Sequence, residues 1–229
     1  MKLVDPTSLG ATLDRLNEAL FFGRTLAKTD KEEASRWIAA RQGLPGSYAG
    51  LFAPTARDFS EGLTAFTGEK IRTRAGTAHI LGEEASRALI LLGLKAAVVR
   101  QALGRAAEEM ERRLAAMEQG HAHAAGTYCC GICSCAYWRN LMAGGLSRSA
   151  ERLAAGLREL SAHRVGDGKW RRFPLHYTLL ALVEMDLPGA RAEMQYAAPA
   201  LERSLKRAAR DDKYAARRRA LAERVLAKL

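Results

Sequence analysis

The sequence contains four cysteines, and all of them lie within seven residues, at Cys129, Cys130, Cys133 and Cys135. Thiol side chains can bind a metal ion, exchange disulfides, or pack as small apolar groups. A secreted disulfide framework spreads its cysteines along the chain so that they join distant segments. The clustering here therefore indicates free thiols in a reducing compartment, and we expect a cytoplasmic protein.

Three interpretations of these thiols follow from their spacing. The step from Cys130 to Cys133 is a Cys-x-x-Cys pair, a common zinc half-site, but a closed site would need a further ligand such as His121, His123 or His176. Reactive thiols, including the adjacent pair Cys129–Cys130, are the second interpretation. Packing in a helix contact is the third. An iron–sulfur cluster fits less well, because adjacent cysteines over so short a span give an awkward geometry.

Helices must position these residues, because apolar side chains recur at three to four residues along nearly the whole chain, as at Leu9, Leu13 and Leu16. No segment alternates between apolar and polar residues for long enough to predict a strand. About ten helices with short loops are predicted, one over residues 132–143 that begins within the cysteine cluster. The sequence therefore predicts an all-α protein with a single domain over residues 1–229.

Short glycine turns suggest that the helices form repeated hairpins. The four turns are Gly46-Ser47-Tyr48, Gly76-Thr77-Ala78, Gly126-Thr127-Tyr128 and Gly168-Lys169-Trp170. The first and last also match upstream, since Arg41-x-Gly43 precedes one and Arg164-x-Gly166 precedes the other. A period of about 40 residues is typical of helix pairs stacked on their neighbours. We therefore expect an array of helical hairpins over roughly residues 30–200.

These turns resemble those of the αα-toroid superfamily, which includes the terpenoid cyclases and the β subunits of the protein prenyltransferases. Its members place a Gly-x-Trp-like turn before each inner helix of a closed barrel, and residues 164–170 are the nearest copy. The resemblance implies a toroid-like array, with an open αα-solenoid as the alternative. The Asp-x-Asp-Asp motif of class II terpenoid cyclases and the Cys-Gly-Glu-Gln motif of thioester-containing toroids are absent from this sequence.

The resemblance to protein prenyltransferases implies a zinc site. Those enzymes hold zinc through an Asp-x-Cys at the start of one inner helix and a histidine at the start of a later one. Cys133-Ser134-Cys135 is similar to the first element, with Cys133 in the place of the Asp, and Phe173-Pro174-Leu175-His176 is similar to the second. The resemblance therefore implies zinc held by Cys133, Cys135 and His176, with one position open for water or a substrate thiol. Cys130 is a further candidate metal ligand.

The same toroid-like arrangement predicts a cavity for a hydrophobic ligand. Trp138 and Tyr177 could form its apolar floor, although aromatic residues at helical spacing are also typical of an ordinary core. His79 and either Glu83 or Glu84 occupy the comparable position in the second repeat and would face the same cavity. We therefore predict binding or modification of a hydrophobic, isoprenoid-like small molecule. Whether the protein is an enzyme is left open, because fold does not imply function.

The charge of the chain is compatible with two other functions. The sequence has 36 Lys and Arg against 25 Asp and Glu, a net charge of +11, and the basic excess is concentrated in the predicted helices of residues 199–229. A basic face can hold nucleic acid or an acidic protein partner. A helical-repeat module that binds protein partners is the first alternative. Nucleic-acid binding ranks third, because no helix-turn-helix, zinc finger or aromatic-rich basic strand accompanies the charge. No apolar run approaches the 18 residues of a membrane span.

Overall fold

The computed structural model describes residues 2–120, 123–206 and 212–229, and these are mostly helical. The helices are α1 (Leu9–Phe21), α2 (Lys28–Ala39), α3 (Ala56–Glu61), α4 (Arg74–Leu92), α5 (Ala97–Gln119), α6 (Gly131–Met142), α7 (Ser149–Ala162), α8 (Leu175–Leu182), α9 (Pro188–Leu205) and α10 (Lys213–Ala227). The predicted all-α class is confirmed. No described helix is long and apolar enough to cross a membrane. His121 lies outside the described residues.

One prediction about local structure was wrong. The turn predicted at Gly76 lies inside α4, where the Thr73 side chain caps the helix by accepting from the Gly76 N–H at 3.1 Å. The chain also forms two short antiparallel strands, β1 (Leu63–Thr64) and β2 (Lys70–Ile71). Strands of two residues are too short to show an alternating pattern in the sequence.

The first and last glycine turns do form related structures. Each contains an isolated antiparallel bridge, Gln42 with Phe52 in the first and Arg164 with Trp170 in the last. In the first turn Arg41 donates to the Ala53 carbonyl at 2.5 Å, which ties the two sides of the turn together. These two copies support the predicted similarity between the turns. Closure of the helices into a toroid, or their stacking into a solenoid, stays a prediction.

Backbone contacts divide the chain into two compact units. The first contains Met1–Thr64, Lys70–Ala122 and Arg139–Ser147, and the second contains Ala65–Glu69, His123–Trp138 and Arg148–Leu229. Helix α6 therefore contributes its first two turns to the second unit and its last residues to the first. The predicted single domain over residues 1–229 stays a prediction.

Helix α4 is the centre of the first unit and packs against α1, α2, α3 and α5. Every residue from Thr77 to Leu89 is buried, including charged ones. A helix buried on all sides has no single apolar stripe. This explains why the apolar pattern predicted only its second half, over residues 82–93.

One carboxylate organises the N-terminal part of this unit. Asp58 is buried in α3, and its two oxygens accept hydrogen bonds from Ser8 Oγ at 2.6 Å, Leu9 N at 2.9 Å, Gly10 N at 3.1 Å and Thr55 N at 2.7 Å. The first turn of a helix leaves N–H groups without partners inside the helix, and negative charge is favourable there. Asp58 therefore caps α1 and its own helix together.

In the second unit α9 packs against α7, α8 and α10. Glu193 of α9 is 2% exposed and accepts from the Arg164 guanidinium at 2.8 Å and from the Trp170 indole N–H at 2.8 Å. The last glycine turn is thus fixed to α9 by a buried carboxylate.

The segment Ala65–Glu69 is held by helices of the second unit. Arg217 of α10 donates to the Phe66 carbonyl at 3.2 Å and lies over the Phe66 ring, 4.2 Å from its centroid. Arg218 donates to the Thr67 carbonyl at 2.6 Å. Glu69 accepts from the backbone N–H of Tyr177 at 3.2 Å, at the start of α8. Two arginines of the basic C-terminal region therefore have structural roles.

We expect the Asp58→Asn substitution to lower the free energy of unfolding by about 3 kcal/mol, because an amide NH2 cannot accept the hydrogen bonds that cap two helices. Asp30→Asn, in the first turn of α2, is the matched control and should cost less than about 1 kcal/mol. Urea unfolding followed by circular dichroism measures both. Equal losses in the two variants would show that Asp58 acts only through its charge at a helix end.

Candidate functional site

The cysteine cluster lies at the N-terminus of α6. The Cys130 carbonyl accepts the first helical hydrogen bond, from Ser134 N at 2.9 Å, so that Cys130 occupies the N-cap position. The buried Ser134 hydroxyl donates to the same carbonyl at 2.8 Å and accepts from Tyr128 N at 2.9 Å. Ser134 therefore fixes the chain on both sides of Cys130.

Close backbone packing also holds this turn in place. Gly131 separates the two cysteines of the Cys-x-x-Cys pair, and a Cβ atom at that position would lie 2.2 Å from the Arg172 carbonyl oxygen. Only glycine permits so close an approach between the start of α6 and the segment before α8. Arg172 has a φ of 72°, a conformation that costs energy for a residue with a side chain.

The structure brings three thiols together at this helix end. Cys129 is exposed, Cys130 is partly exposed and Cys133 is buried, and the three thiols lie close enough to shift one another's pKa. Cys130 and Cys133 are three residues apart, a spacing that places side chains on the same helix face. The sulfur atoms of Cys129 and Cys133 lie within 4.8 Å of each other and belong to a group of side chains that could hold a metal ion.

The environment of Cys130 favours its thiolate. Hydrogen bonds from the Cys129 and Cys133 thiols hold the pKa of Cys130 well below its usual range, and the backbone N–H groups of Cys133 and Ile132 act in the same direction. Those N–H groups belong to the first turn of α6, which stabilises negative charge. Burial opposes the shift, but the donors outweigh it.

The two neighbouring thiols are kept protonated. Donation to the surrounding sulfurs raises the pKa of Cys133, and burial raises it further. The hydrogen bond to Cys130 likewise raises the pKa of Cys129. A thiolate at Cys130 would also repel a second thiolate at short range, and this repulsion raises the pKa of Cys133 and Cys129. These pKa shifts favour a thiolate at Cys130 and protonated thiols at Cys129 and Cys133.

The structure does not bring Cys135 and His176 to this cluster. Cys135 is fully buried, and its thiol donates to Thr178 Oγ1 at 3.5 Å. Cys133 and Cys135 are two residues apart, which in a helix turns their side chains about 200° apart. Among the described residues, Cys133, Cys135 and His176 do not gather their ligand atoms within 4.8 Å of one another. The structure therefore does not assemble the three-ligand site implied by the resemblance.

The aromatic residues predicted to contact a ligand are packed in the core. Trp138 is fully buried, donates its indole N–H to the Gly126 carbonyl at 2.7 Å, and stacks on Phe173 with ring centroids 5.7 Å apart. Tyr177 is 1% exposed. Both side chains therefore stabilise the second unit, and neither forms part of an open surface.

His79 and Glu83, the other two predicted ligand contacts, belong to a buried network in the first unit. His79 Nε2 lies 3.2 Å from Glu83 Oε1, and its ring stacks on Tyr48 with centroids 4.6 Å apart. Asn140 Nδ2 donates to Glu83 Oε2 at 2.6 Å. Since His79 and Glu83 are four residues apart, they share one face of α4, as the sequence spacing indicates.

Glu84 extends this network on the adjacent face of α4. It forms a buried ion pair with Arg139 and accepts from Asn17 Nδ2 at 3.1 Å, while Asn17 Oδ1 accepts from Arg87 at 3.0 Å. The sequence reading missed Arg139 and Asn140. The available signal was two adjacent polar residues within the otherwise apolar helix that carries Trp138.

No family model, curated protein or solved structure matches this chain.

The partly buried position of His176 generates a pH dependence of stability. Burial lowers the pKa of His176 to about 4 from its ordinary 6.5, and the positive charge of Arg218 lowers it further. Between pH 6.5 and pH 4 the unfolded chain therefore binds more protons at this site than the folded chain, so stability falls as the pH falls. We expect His176→Gln to lose less stability than the unsubstituted protein over this window, by about 2 kcal/mol at pH 4.5.

Urea unfolding at pH 7.0, 5.5 and 4.5 measures this difference. His123→Gln is the control, because His123 is exposed and should keep the pH dependence of the unsubstituted protein. The same pH dependence in His176→Gln as in the unsubstituted protein would contradict the assignment.

Proposed function

We propose that this protein is a thiol–disulfide redox protein in which Cys130 is the nucleophile and Cys133 the resolving cysteine. The supporting observation is the position of Cys130 at the N-cap of α6, where two thiols and two backbone N–H groups stabilise its thiolate. Cys130 is also partly exposed, so a partner can reach its sulfur, whereas Cys133 is sheltered. Reactive thiols are typically found in such partly exposed sites that stabilise the thiolate.

The reaction needs a disulfide on a partner molecule as the oxidant. The Cys130 thiolate attacks one partner sulfur, which forms a mixed disulfide and releases the other partner sulfur as a thiolate that takes up a proton. Cys133 then loses its proton and attacks the Cys130 sulfur. The products are a Cys130–Cys133 disulfide and a partner dithiol, so two electrons pass from the cysteine pair to the partner.

The pairing of Cys130 with Cys133 is favoured over the pairing of Cys129 with Cys130. Consecutive Cα atoms lie about 3.8 Å apart, below the usual range of about 4.4–6.8 Å for a disulfide. Residues three apart on a helix have Cβ atoms about 5–6 Å apart, and a disulfide needs about 3.5–4.5 Å, so Cys130 and Cys133 must approach each other by about 1–2 Å. Cys129 contributes by donating to the Cys130 sulfur.

Zinc binding at the same thiols is the second candidate function. The observation that favours it is the approach of the Cys129 and Cys133 sulfurs to within 4.8 Å of each other. Zinc is held tetrahedrally by thiolates at about 2.3 Å, so ligand sulfurs lie close to this separation. In this proposal the cysteines at the start of α6 supply the thiolates.

Action on a hydrophobic, isoprenoid-like molecule stays a prediction, as do protein-partner and nucleic-acid binding and a cytoplasmic location. The burial of Trp138 and Tyr177 gives the hydrophobic-ligand prediction no open surface at those two residues. The thiol cluster is partly exposed, and the pKa of Cys130 is lowered. For these reasons thiol–disulfide exchange is the leading proposal.

Exposure of the reduced protein to oxidised glutathione tests the redox proposal. We expect the intact mass to fall by about 2 Da as the Cys130–Cys133 disulfide forms. Cys133→Ser should instead accumulate a glutathione adduct on Cys130, because the resolving thiol is missing. Cys130→Ser should form neither product at a comparable rate.

Cys135→Ser is the matched control, since it removes a buried thiol of the same helix and should behave as the unsubstituted protein. Peptide mapping identifies the modified residue. An adduct on Cys129 in the Cys133→Ser protein would show that the nucleophile has been assigned incorrectly.

Metal analysis of protein purified without chelator or affinity tag tests the second candidate. If zinc binds at the start of α6, about one equivalent per chain should be present, absent from Cys133→Ser and retained in Cys135→Ser. Loss in Cys135→Ser and His176→Ala would instead support the ligand set implied by the family resemblance. If the purified protein contains no metal, the zinc proposal is wrong, and the redox proposal is unaffected.

A further inference from the structure

Arg172 combines a strained backbone with an exposed side chain. In the described part of the chain the arginines with a positive φ are Arg148, at 51°, and Arg172, at 72°. Arg148 forms an ion pair with Glu151, whereas Arg172 is exposed and has no ion pair among the described residues. Glycine adopts this conformation without steric cost. The arginine at position 172 therefore carries an energetic cost that no ion pair of its own offsets.

Arg172 also lies next to the nucleophile proposed above. Its carbonyl oxygen would come within 2.2 Å of a Cβ atom at Gly131, the residue that follows Cys130. Consecutive Cα atoms are about 3.8 Å apart, so the Cα atoms of Cys130 and Arg172 lie within about 10 Å of each other. This separation is about the Debye length at 0.1 M salt, so the charge of Arg172 acts on a molecule that approaches the Cys130 sulfur.

The two segments that meet at this point carry positive charge. Residues 123–138 and 168–178 contain Lys169, Arg171 and Arg172 but neither Asp nor Glu. Arg171 is exposed like its neighbour, and it likewise has no ion pair within the described ranges. The surroundings of the thiol cluster in the second unit are therefore basic.

The carboxylates that contact residues 168–178 do not neutralise these two arginines. Asp167 is paired with Lys169 at 3.2 Å. Glu69 accepts from the Tyr177 N–H at 3.2 Å, and Glu193 accepts from the Trp170 indole N–H at 2.8 Å. The positive charges of Arg171 and Arg172 are therefore available to an anionic molecule.

We infer that Arg171 and Arg172 bind the carboxylates of a small acidic disulfide whose sulfur is attacked by Cys130. This inference rests on the redox function proposed above and names the class of its substrate. Arginine is suited to the role, because its guanidinium donates two parallel hydrogen bonds to one carboxylate. Complementary charge at the edge of a site raises the rate of encounter and selects among partners that share the same reactive group.

Oxidised glutathione is a disulfide of this class, since both of its halves carry carboxylates. The Cys130 thiolate attacks one glutathione sulfur, the glutathione S–S bond breaks, and an S–S bond between Cys130 and that sulfur forms. The other half leaves as a thiolate, which takes up a proton from water. The disulfide is itself the oxidant in this step.

Rates of adduct formation with three small disulfides test the inference. The full chain with Cys133→Ser accumulates the mixed disulfide on Cys130, and mass spectrometry follows its formation. At pH 7 oxidised glutathione is negatively charged, bis(2-hydroxyethyl) disulfide is neutral and cystamine is positively charged. The glutathione and cystamine rates are each divided by the rate with the neutral disulfide, so that changes in the reactivity of Cys130 itself cancel.

We expect Arg172→Gly to lower the glutathione ratio by at least about threefold at low salt and to raise the cystamine ratio. Arg171→Gln should shift both ratios in the same directions. Salt at about 0.5 M should reduce the difference between the variants and the protein that keeps both arginines. Because glycine accepts the φ of position 172, Arg172→Gly should not lower the thermal midpoint, which separates a loss of charge from a loss of structure.

Arg191→Gln is the matched control, because it removes the same charge from an exposed position that donates to the Leu229 carbonyl. The neighbouring Lys228 donates to the Val183 carbonyl, so this end of the chain lies at the end of α8 opposite to Arg172. Both ratios should be unchanged in this variant. A fall of the glutathione ratio as large as that in Arg172→Gly would overturn the inference, since net charge alone would then explain it.

The neutral disulfide separates this inference from the redox function. If it modifies Cys130 but Arg172→Gly and Arg171→Gln leave the glutathione ratio unchanged, the arginines do not select the substrate and the redox function stands. If none of the three disulfides modifies Cys130, the redox function is wrong and the inference falls with it.

Discussion

The burial of two adjacent carboxylates on α4 is the constraint that organises the first unit. Glu83 is fully buried and Glu84 is 5% exposed, and an isolated charge in such a place costs far more energy than one helix can recover. Each carboxylate therefore needs its own partners from other elements. These partners are Asn17 of α1 and, at the end of α6, Arg139 and Asn140.

Such a network specifies an arrangement more than it adds stability. A buried ion pair often contributes little net free energy, whereas removal of one partner is strongly destabilising. The observed packing of α1, α4 and the end of α6 satisfies Glu83 and Glu84 together. The same pairing leaves Asn140 Oδ1 without a hydrogen-bond partner among the residues that the structure describes.

The helices that were predictable from the sequence are those with one apolar face. The spacing of Leu9, Leu13 and Leu16 predicts α1 correctly, and α5 and α9 follow the same rule. The sequence predicted only the second half of α4. The helix is buried on every side and so lacks a single apolar stripe, and Gly76 in its first turn suggested a loop. The Asp58 cap could not be predicted, since it joins residues about fifty positions apart in the chain.

The candidate site was predictable where spacing along a helix determines contact. The Cys130-x-x-Cys133 step and the pair His79 and Glu83 both come together in the structure, because offsets of three and four share a helix face. The offset of two between Cys133 and Cys135 separates them for the same reason. The position of Cys130 at a helix cap, which contributes to the low pKa of its thiol, depends on the exact residue at which α6 begins.

The double cap made by Asp58 also determines how the N-terminal region opens. Helix α3 has six residues, too few to persist in isolation, and the start of α1 depends on the same carboxylate. The amide hydrogens of Leu9, Gly10 and Thr55 are therefore released by one shared event. They should exchange with solvent deuterium as a single group, which makes the two helix ends one cooperative unit within a larger fold.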